Sequence, residues 1–294
     1  MPKVNQTFKL PDGRMLGYDD HGPPSGKSVF FFHGTPGTRL NWYLFGSEEL
    51  TQKLNIRIIS LDRPGLGLSD FQAGRQFCDW PGDVIALADA LEFARFAVLG
   101  YSGGGPYAAA CALKIPERLT SVGIVSGVGP HNVPGLTDGI APENLRFTQL
   151  ARDKPWLSRL ANRLGGVMVR YMPGRLITQA MTALPEADRA VLAKPETQEV
   201  FISMLKDAMR SGARGAQWDT ALTVSPWDFR PQDIAMKVYL WYGERDRNVS
   251  PAMGRYLAET LPNSDVRFYP SEGHLSLIVN HAEEILSLLV TQAD

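Results

Sequence analysis

The segment GYSGG at residues 100–104 constrains the fold of this chain more than any other. It follows an apolar, strand-like run at Phe96–Gly100 and precedes a helix-like run at Pro106–Leu113. A Gly-x-Ser-x-Gly pattern between a strand and a helix is typical of a nucleophile elbow, a tight turn that exposes the serine hydroxyl at the carboxyl end of a sheet. The two glycines of the pattern lack a Cβ, so they remove clashes inside the turn. We therefore predict that Ser102 is a nucleophile.

The alternative interpretation is a glycine-rich phosphate loop or an ordinary turn between a strand and a helix. A P-loop has a lysine directly after its last glycine, whereas Pro106 and Tyr107 follow Gly105 here. The free N–H groups at the start of the following helix also favour negative charge near the serine. The surroundings therefore favour the nucleophile.

Strand-like and helix-like segments alternate through the first part of the chain, which predicts a mostly parallel, doubly wound α/β sheet of about eight strands. The turn signal Pro11-Asp12-Gly13 predicts a hairpin before that alternation begins. Between 127 and 228 we find no convincing strand, and the alternation resumes at 237. Prolines separate the helix-like stretches of this middle region, which are 143–152, 156–171, 175–182, 186–192 and 197–210. We predict one core, formed by 1–126 and 229–294, with a helical cap inserted at 127–228.

A nucleophilic serine needs a base within hydrogen-bond reach and an acid that orients the base. Of the five histidines, His274 lies in a short loop directly after a strand-like run near the chain end, and we predict that it is the base. Asp246 lies in the loop that follows another strand-like run, which ends at Gly243, and is the predicted acid. The order serine, acid, histidine along the chain fits this arrangement. Three rival acids remain: Glu244, Asp228 and Asp219.

The other histidines have simpler interpretations. His33 is expected to hold its own loop through hydrogen bonds to the backbone. His131, at the start of the predicted cap, is a candidate for substrate contact. His21 lies in a turn rich in glycine and proline and is expected to be solvated.

A second turn, HGTPG at 33–37, follows the apolar run Ser28–Phe32, which is typical of a buried parallel strand. Stabilising a tetrahedral oxyanion requires converging backbone donors. One comes from the residue after the nucleophile and another from a loop of this kind. We therefore predict an oxyanion hole formed by the N–H groups of Thr35 and Gly103.

Taken together, these segments resemble the α/β-hydrolase superfamily, in its cap-bearing bacterial branch of esterases, lactonases, C–C hydrolases, dehalogenases and peptidases. The matching segments in chain order are HGTPG at 33–37, DRPGLGLSD at 62–70, GYSGGGP at 100–106, GERDRNVSP at 243–251 and EGH at 272–274. The resemblance implies the hydrolase fold and a triad of Ser102, Asp246 and His274. The segment at 62–70 is expected to be structural, with Arg63 or Asp70 pinning neighbouring loops.

Two departures from the superfamily narrow the expected chemistry. Dehalogenases and epoxide hydrolases of this kind carry aspartate at the nucleophile position, where this chain has Ser102. Proline iminopeptidases carry a second glycine where Thr35 stands, and use acidic groups for the substrate amine that the sequence does not identify here. We expect a serine hydrolase of a small or medium carboxylic ester, or a related acyl compound, that works through an acyl-enzyme on Ser102 and needs no metal or other cofactor.

Two alternatives remain open. The same triad supports C–C hydrolysis, lyase, perhydrolase or aminopeptidase chemistry. The fold also occurs in ligand receptors that do not turn over a substrate.

Charge and apolar patterning exclude several classes of partner. Lysine plus arginine number 30 and aspartate plus glutamate 31, so the chain lacks the basic excess of a nucleic-acid binder. The N-terminus lacks the apolar region of a signal peptide, and the apolar runs are far too short to span a membrane. Two cysteines are too few for a disulfide framework and lack metal-ligand spacing. We therefore expect a cytoplasmic protein with a small-molecule partner, no nucleic acid and no integral membrane association.

Overall fold

The computed structural model describes residues 2–291, which form one eight-stranded sheet with helices on both faces. The strands are β1 (Lys3–Lys9), β2 (Met15–His21), β3 (Lys27–Phe32), β4 (Ile56–Leu61), β5 (Phe96–Tyr101), β6 (Leu119–Val125), β7 (Val238–Gly243) and β8 (Ser264–Tyr269). Their order in the sheet is β1-β2-β4-β3-β5-β6-β7-β8. The β1–β2 and β2–β4 pairs are antiparallel, and the other neighbouring pairs are parallel. The predicted fold class, including the hairpin, is confirmed.

Helices connect the parallel strands and also fill a long segment between β6 and β7. They are α1 (Glu48–Leu54), α2 (Trp80–Ala90), α3 (Gly105–Lys114), α4 (Pro142–Asp153), α5 (Pro155–Tyr171), α6 (Pro173–Ala183), α7 (Glu186–Leu192), α8 (Pro195–Ala208), α9 (Arg214–Thr223), α10 (Pro251–Thr260), α11 (His274–Asn280) and α12 (Ala282–Thr291). Short 3₁₀ helices span Arg39–Leu44, Phe77–Asp79, Ser102–Gly104, Pro116–Arg118 and Pro231–Asp233. We call α4 to α9 the helical insertion. It lies where a cap was predicted, and the division of the chain into core and cap stays a prediction.

The central strands are buried on both faces, which explains their continuous apolar runs. Along β3, Phe30 and Phe32 pack on the face covered by α2, α3 and α10. The alternate residues Val29 and Phe31 pack on the face covered by α11 and α12. This alternation follows from the two-residue period of a strand. Within residues 2–291, no helix has both the length and the apolar character needed to cross a bilayer.

Helices α9 and α11 were not predicted from the sequence. The buried positions of α9 are mostly small or polar, and include Gln217, Asp219 and Thr220, so the helix shows no apolar periodicity. Helix α11 begins at His274 itself, in a segment whose sequence predicts a loop. Each of these helices carries a polar residue of the candidate site described below: Asp219 lies on α9 and His274 on α11.

The expectation that His21 is solvated is wrong. Strand β2 extends to His21, which pairs with Ile58 of β4. The His21 ring is almost fully buried, beside Trp42 and Tyr43, and its Nδ1 lies 2.9 Å from a carboxylate oxygen of Glu48. The glycine and prolines that suggested a turn follow this residue rather than include it.

The turn after β5 approaches β3 so closely that residue 104 has no room for a side chain. A Cβ on Gly104 would lie 2.2 Å from the Phe32 carbonyl oxygen and 2.9 Å from that of His33. Because both obstacles are backbone atoms of a buried strand and its loop, they cannot move aside easily.

We expect Gly104→Ala to lower the free energy of unfolding by about 1–3 kcal/mol, the usual cost of overpacking a filled core. The measurement is the midpoint of urea unfolding. The matched control is Gly82→Ala in α2, where a new Cβ meets nothing within 4 Å. That control should be neutral or stabilising because alanine is the better helix former. Equal midpoints for the two variants would contradict the packing argument.

Candidate active site

Ser102 lies directly after β5, in the turn that leads into α3. Its φ of 54° is in the left-handed region that residues with side chains rarely adopt. The turn closes because residue 100 is glycine: a Cβ there would lie 2.4 Å from the carbonyl oxygen of Gly104. A strained serine at such a turn is the local geometry expected of a nucleophile elbow.

The structure brings the three residues predicted as the triad together. His274 Nε2 lies 2.9 Å from Ser102 Oγ, and His274 Nδ1 lies 2.7 Å from Asp246 Oδ2. The other carboxylate oxygen of Asp246 accepts hydrogen bonds from the N–H groups of Asn248 (2.8 Å) and Val249 (2.9 Å). Its own loop therefore orients the acid. All three triad side chains are buried.

The local charges determine how readily His274 takes a proton. Burial by itself lowers the pKa of the imidazole because it penalises the charged form. The negative charge and the hydrogen bond of Asp246 oppose this effect, and the negative charge of Asp188 adds to them. The net result is a pKa of His274 above its ordinary value of 6.5.

Asp188, on α7, supports the histidine from the helical insertion. Its Oδ2 accepts a hydrogen bond from the His274 N–H (2.9 Å), and its Oδ1 accepts from the N–H groups of Leu275 (3.0 Å) and Ser276 (2.8 Å). The buried carboxylate therefore caps the N-terminus of α11, where free N–H groups favour negative charge. Sequence reasoning missed this residue, because nothing distinguishes it from the other acidic residue of a short helix.

The two residues predicted to form the oxyanion hole lie against each other next to Ser102. A Cβ on Gly103 would lie 3.2 Å from Thr35 N and 2.2 Å from Thr35 Oγ1, so glycine lets the two segments approach. On the same loop, a Cβ on Gly34 would lie 3.3 Å from Ser102 Cβ. Thr35 and Gly103 thus border the serine, and the role of their N–H groups remains a prediction.

A buried charge cluster centred on Asp219 of α9 lies behind Thr35. Thr35 Oγ1 donates a hydrogen bond to Asp219 Oδ2 (2.5 Å). Arg63 donates to both oxygens of Asp219 (3.0 and 2.7 Å), and Arg75 (2.9 Å) and Tyr107 (2.9 Å) donate to Oδ1. Burial favours the neutral acid, but the two arginines hold the pKa of Asp219 far below its ordinary value.

The structure also separates the rival acids from His274. Asp219 contacts Thr35 in the loop at 33–37 rather than the histidine. Glu244 pairs with Arg255, and Asp228 accepts hydrogen bonds from the N–H groups of Phe77 and Cys78. Among these candidates, Asp246 is the one that contacts His274.

His33 and Arg63 hold the loop at 33–37 in place. His33 Nδ1 lies 2.7 Å from the Gly34 carbonyl oxygen, and Arg63 N lies 3.2 Å from His33 Nε2. The Arg63 guanidinium also donates to the carbonyl oxygens of His33 and Gly34. The carboxylate of Asp70 accepts a hydrogen bond from Met15 N (2.8 Å), at the start of β2. The expected roles of His33 and of the segment at 62–70 are confirmed.

A cavity of about 430 Å³ opens over Ser102, between the core loops and the helical insertion. Within the described residues, its lining contains no aspartate, glutamate, lysine or arginine. Burial, and then the charge of Arg152, lower the pKa of the lining residue His131 to about 4, so that this ring is neutral at pH 7. The remaining wall is mainly apolar and includes Leu44, Phe147, Leu184, Phe201 and Val224. Among residues 2–291, no cluster of three or more histidine, cysteine or acidic side chains is arranged to hold a metal ion.

Comparisons with known proteins agree with this architecture. The model of the alpha/beta hydrolase fold family matches residues 27–281. The 2-hydroxy-6-oxo-2,4-heptadienoate hydrolase of Pseudomonas putida is 25% identical over 260 residues, which cover 86% of this chain and 84% of that protein. A non-heme chloroperoxidase of Streptomyces lividans is 34% identical over 143 residues, 47% of this chain and 50% of its own. The crystal structure of an esterase from Rhodococcus sp. ECU1013 superposes with a TM-score of 0.67 at 18% identity, covering 99% of this chain and 98% of that one, so the fold is shared.

We expect Asp188→Asn to lower the pKa of His274, because the substitution removes one of the negative charges that favour imidazolium. The ring should then stay neutral to a lower pH than in the unsubstituted protein. The measurement is an NMR titration of the His274 imidazole, with its resonance assigned by comparison with His274→Gln.

The matched control is Asp228→Asn, because Asp228 also accepts two backbone hydrogen bonds but makes them to Phe77 and Cys78. Substitution of Asp228 should leave the pKa of His274 unchanged. An unchanged pKa in Asp188→Asn, or an equal shift in both variants, would contradict the electrostatic role of Asp188.

Proposed function

Because the chain belongs to the α/β-hydrolase fold family, we propose that it is a serine esterase that cleaves an uncharged carboxylic ester through an acyl-enzyme on Ser102. The observation that carries this proposal is the hydrogen-bonded series Asp246–His274–Ser102, which ends in a cavity whose lining, within the described residues, contains no acidic side chain, lysine or arginine. At about 430 Å³, the cavity suits a small or medium ester.

Acylation begins when Ser102 Oγ attacks the ester carbonyl carbon and His274 Nε2 accepts the hydroxyl proton. The backbone N–H groups of Thr35 and Gly103 stabilise the oxyanion, and a donor of this kind contributes about 3 kcal/mol to the transition state. Asp246 stabilises the imidazolium and fixes the tautomer that keeps Nε2 free to accept a proton. The tetrahedral intermediate then breaks its C–O bond to the alcohol, which leaves with the proton from His274.

Deacylation repeats these steps with water in place of the serine. His274 accepts a proton from water as the water oxygen attacks the acyl carbon, and the same two N–H groups stabilise the second oxyanion. When the bond to Ser102 Oγ breaks, the serine recovers its proton from His274, and the carboxylic acid is released. The proposed chemistry uses side chains and backbone groups of this chain alone.

The buried groups behind the site explain how these donors keep their positions. Asp219 and Arg63 hold the side chain of Thr35 between them, at 2.5 and 2.9 Å. Donors that are fixed before the reaction need no reorganisation as charge develops, which is the main source of oxyanion stabilisation. We infer that both residues position Thr35 without touching the substrate.

The cavity lining favours an uncharged substrate. The name of the Pseudomonas putida relative denotes a dienoate, which carries a carboxylate. Burying a carboxylate without a cationic partner is costly, and no lysine or arginine lines this cavity in the described part of the chain. We therefore favour a neutral ester over the carboxylate-bearing C–C substrates of such relatives. Residues of the helical insertion form part of the wall, which supports the interpretation of 127–228 as a cap.

We expect Ser102→Ala to reduce turnover of p-nitrophenyl acetate, butyrate and octanoate by about 10⁴-fold or more, because the acyl-enzyme cannot form. The preferred chain length would then report the usable depth of the cavity. The matched control is Ser121→Ala, which removes the hydroxyl of a buried serine on β6 outside the cavity lining and should keep its turnover.

Turnover that survives in Ser102→Ala would contradict the nucleophile. A folded wild-type protein that hydrolyses none of these esters and resists labelling by a fluorophosphonate would favour the receptor alternative.

We expect dimethyl glutarate to be hydrolysed with a kcat/KM at least roughly tenfold above that of monomethyl glutarate. The free carboxylate of the monoester would lose its hydration in a cavity where no lysine or arginine lines the described wall. Initial rates of methanol release measure both reactions. At the distal group the two compounds differ in charge and in one methyl group, and the second ester of dimethyl glutarate gives it a statistical advantage far smaller than the expected ratio. Equal values, or a preference for the monoester, would overturn the neutral-substrate assignment.

A further inference from the structure

Helix α5 of the helical insertion exposes a continuous apolar stripe. The exposed fractions are 68% for Trp156, 46% for Leu160, 60% for Leu164, 52% for Val167 and 70% for Tyr171. Spacings of three and four residues place all five on one face of the helix. They are five of the nine large apolar side chains that are exposed in the described part of the chain, so the exposure is concentrated rather than scattered.

The inward face of α5 is more polar than its outward face. Ser158, Asn162 and Val169 are the buried residues of the helix, and Asn162 Nδ2 donates to the Ser158 carbonyl oxygen (2.9 Å). Of these three buried side chains, Val169 is the apolar one, and the other two are polar. The larger apolar residues of α5 stay in contact with water, which is unfavourable unless another apolar phase covers them.

Positive charge follows one edge of the stripe. The 3.6-residue repeat places Arg159, Arg163 and Arg170 side by side along that edge, and all three are exposed. Helix α5 contains no acidic residue. Among residues 2–291, none of these arginines forms an ion pair.

A groove of about 1040 Å³ lies along the same edge and is also cationic. Arg163, Arg170 and Lys206 line it without an ion pair in the described part of the chain. Arg39 also lines it and is neutralised by Asp19, Asp62 and Asp207. The groove therefore offers several free cationic groups beside the apolar stripe.

We propose that α5 docks the protein on an anionic lipid surface, with the stripe in the acyl boundary and the arginines and Lys206 at the headgroup phosphates. A helix with an apolar face that carries tryptophan and leucine, and with arginine along its edge, has the composition of an interfacial helix. A second copy of the chain fits less well. A two-fold contact with antiparallel α5 helices would bring the arginine rows of the two copies together, and one with parallel helices would place each row against an edge of α5 that carries no acidic residue. Lipid phosphates complement that charge.

The proposed surface adjoins the cavity over Ser102. Phe147, on α4, lines the cavity and is 37% exposed, and α4 packs against α5. A substrate dissolved at the lipid boundary would therefore reach the cavity past α4. Lipid binding itself does not rest on the proposed esterase activity.

The test is flotation of the full chain with two kinds of vesicle. One is phosphatidylcholine alone, and the other contains phosphatidylglycerol as about a third of its lipid. We expect binding to the anionic vesicles at least roughly tenfold tighter than to the neutral ones, weakening as salt rises. Trp156 fluorescence should shift to shorter wavelength on binding, and Trp156→Phe should remove that shift.

Two double variants separate the apolar and the charged contributions. Leu160→Gln with Leu164→Gln, and Arg163→Gln with Arg170→Gln, should each weaken binding by roughly tenfold or more. The matched control is Val4→Gln with Tyr43→Gln, which removes two apolar side chains that are each 39% exposed but lie outside the insertion. It should bind like the wild type.

Failure to bind anionic vesicles, equal binding to both kinds, or equal losses in the control would overturn the proposal. A dimer in light scattering that the Leu160 and Leu164 substitutions dissociate would also overturn it, in favour of a second copy. Far-ultraviolet circular dichroism confirms that each variant is folded. Vesicle binding that persists in a protein without ester turnover would refute the proposed function alone.

Discussion

The carboxylate of Asp219 is the interaction on which the geometry of this site depends. It accepts hydrogen bonds from Arg63, Arg75, Tyr107 and Thr35, which come from separate segments of the core. A buried carboxylate with two arginine partners and two hydroxyl donors has its hydrogen-bonding capacity filled, and this offsets the loss of hydration. Without it, two buried guanidinium groups would lack their partner, an arrangement that typically costs about 3–5 kcal/mol.

Asp188 has a role that corresponds to that of Asp219, because it also holds a segment beside Ser102 in position. One acid of the insertion, Asp219, holds the loop that carries Thr35, and the other, Asp188, holds the start of the helix that carries His274. The serine itself is fixed by the turn between β5 and α3. The three groups that the proposed reaction would bring to a carbonyl are thus held independently, and a reaction with developing charge requires preorganisation of this kind.

The parts of this protein that follow local rules could be predicted from sequence. The apolar runs predicted the strands, and the elbow pattern between a strand and a helix predicted Ser102 as the nucleophile. Asp246 and His274 were predicted because both follow strand-like runs, and the structure brings both into one hydrogen-bonded series with Ser102. Asp188, and the part that Asp219 plays, could not be found, because the value of a buried acid depends on partners that are distant in sequence. The orientation of α5 could not be predicted either. The spacing of its apolar residues predicts a helix, but the side chains that the helix packs against decide that Leu160 and Leu164 face outward.

The carboxylates of Asp188 and Asp219 also restrict how a substrate can reach the cavity over Ser102. Lifting the insertion as a rigid lid would withdraw Asp188 from α11 and Asp219 from its arginines. At the cost given above for Asp219 alone, the opened form would account for fewer than about one molecule in a hundred. Helices α4 to α6 contain neither residue. Access to Ser102 is therefore expected to come from local movement of these three helices while α7 and α9 stay in place, so that the reacting groups remain aligned as substrate arrives.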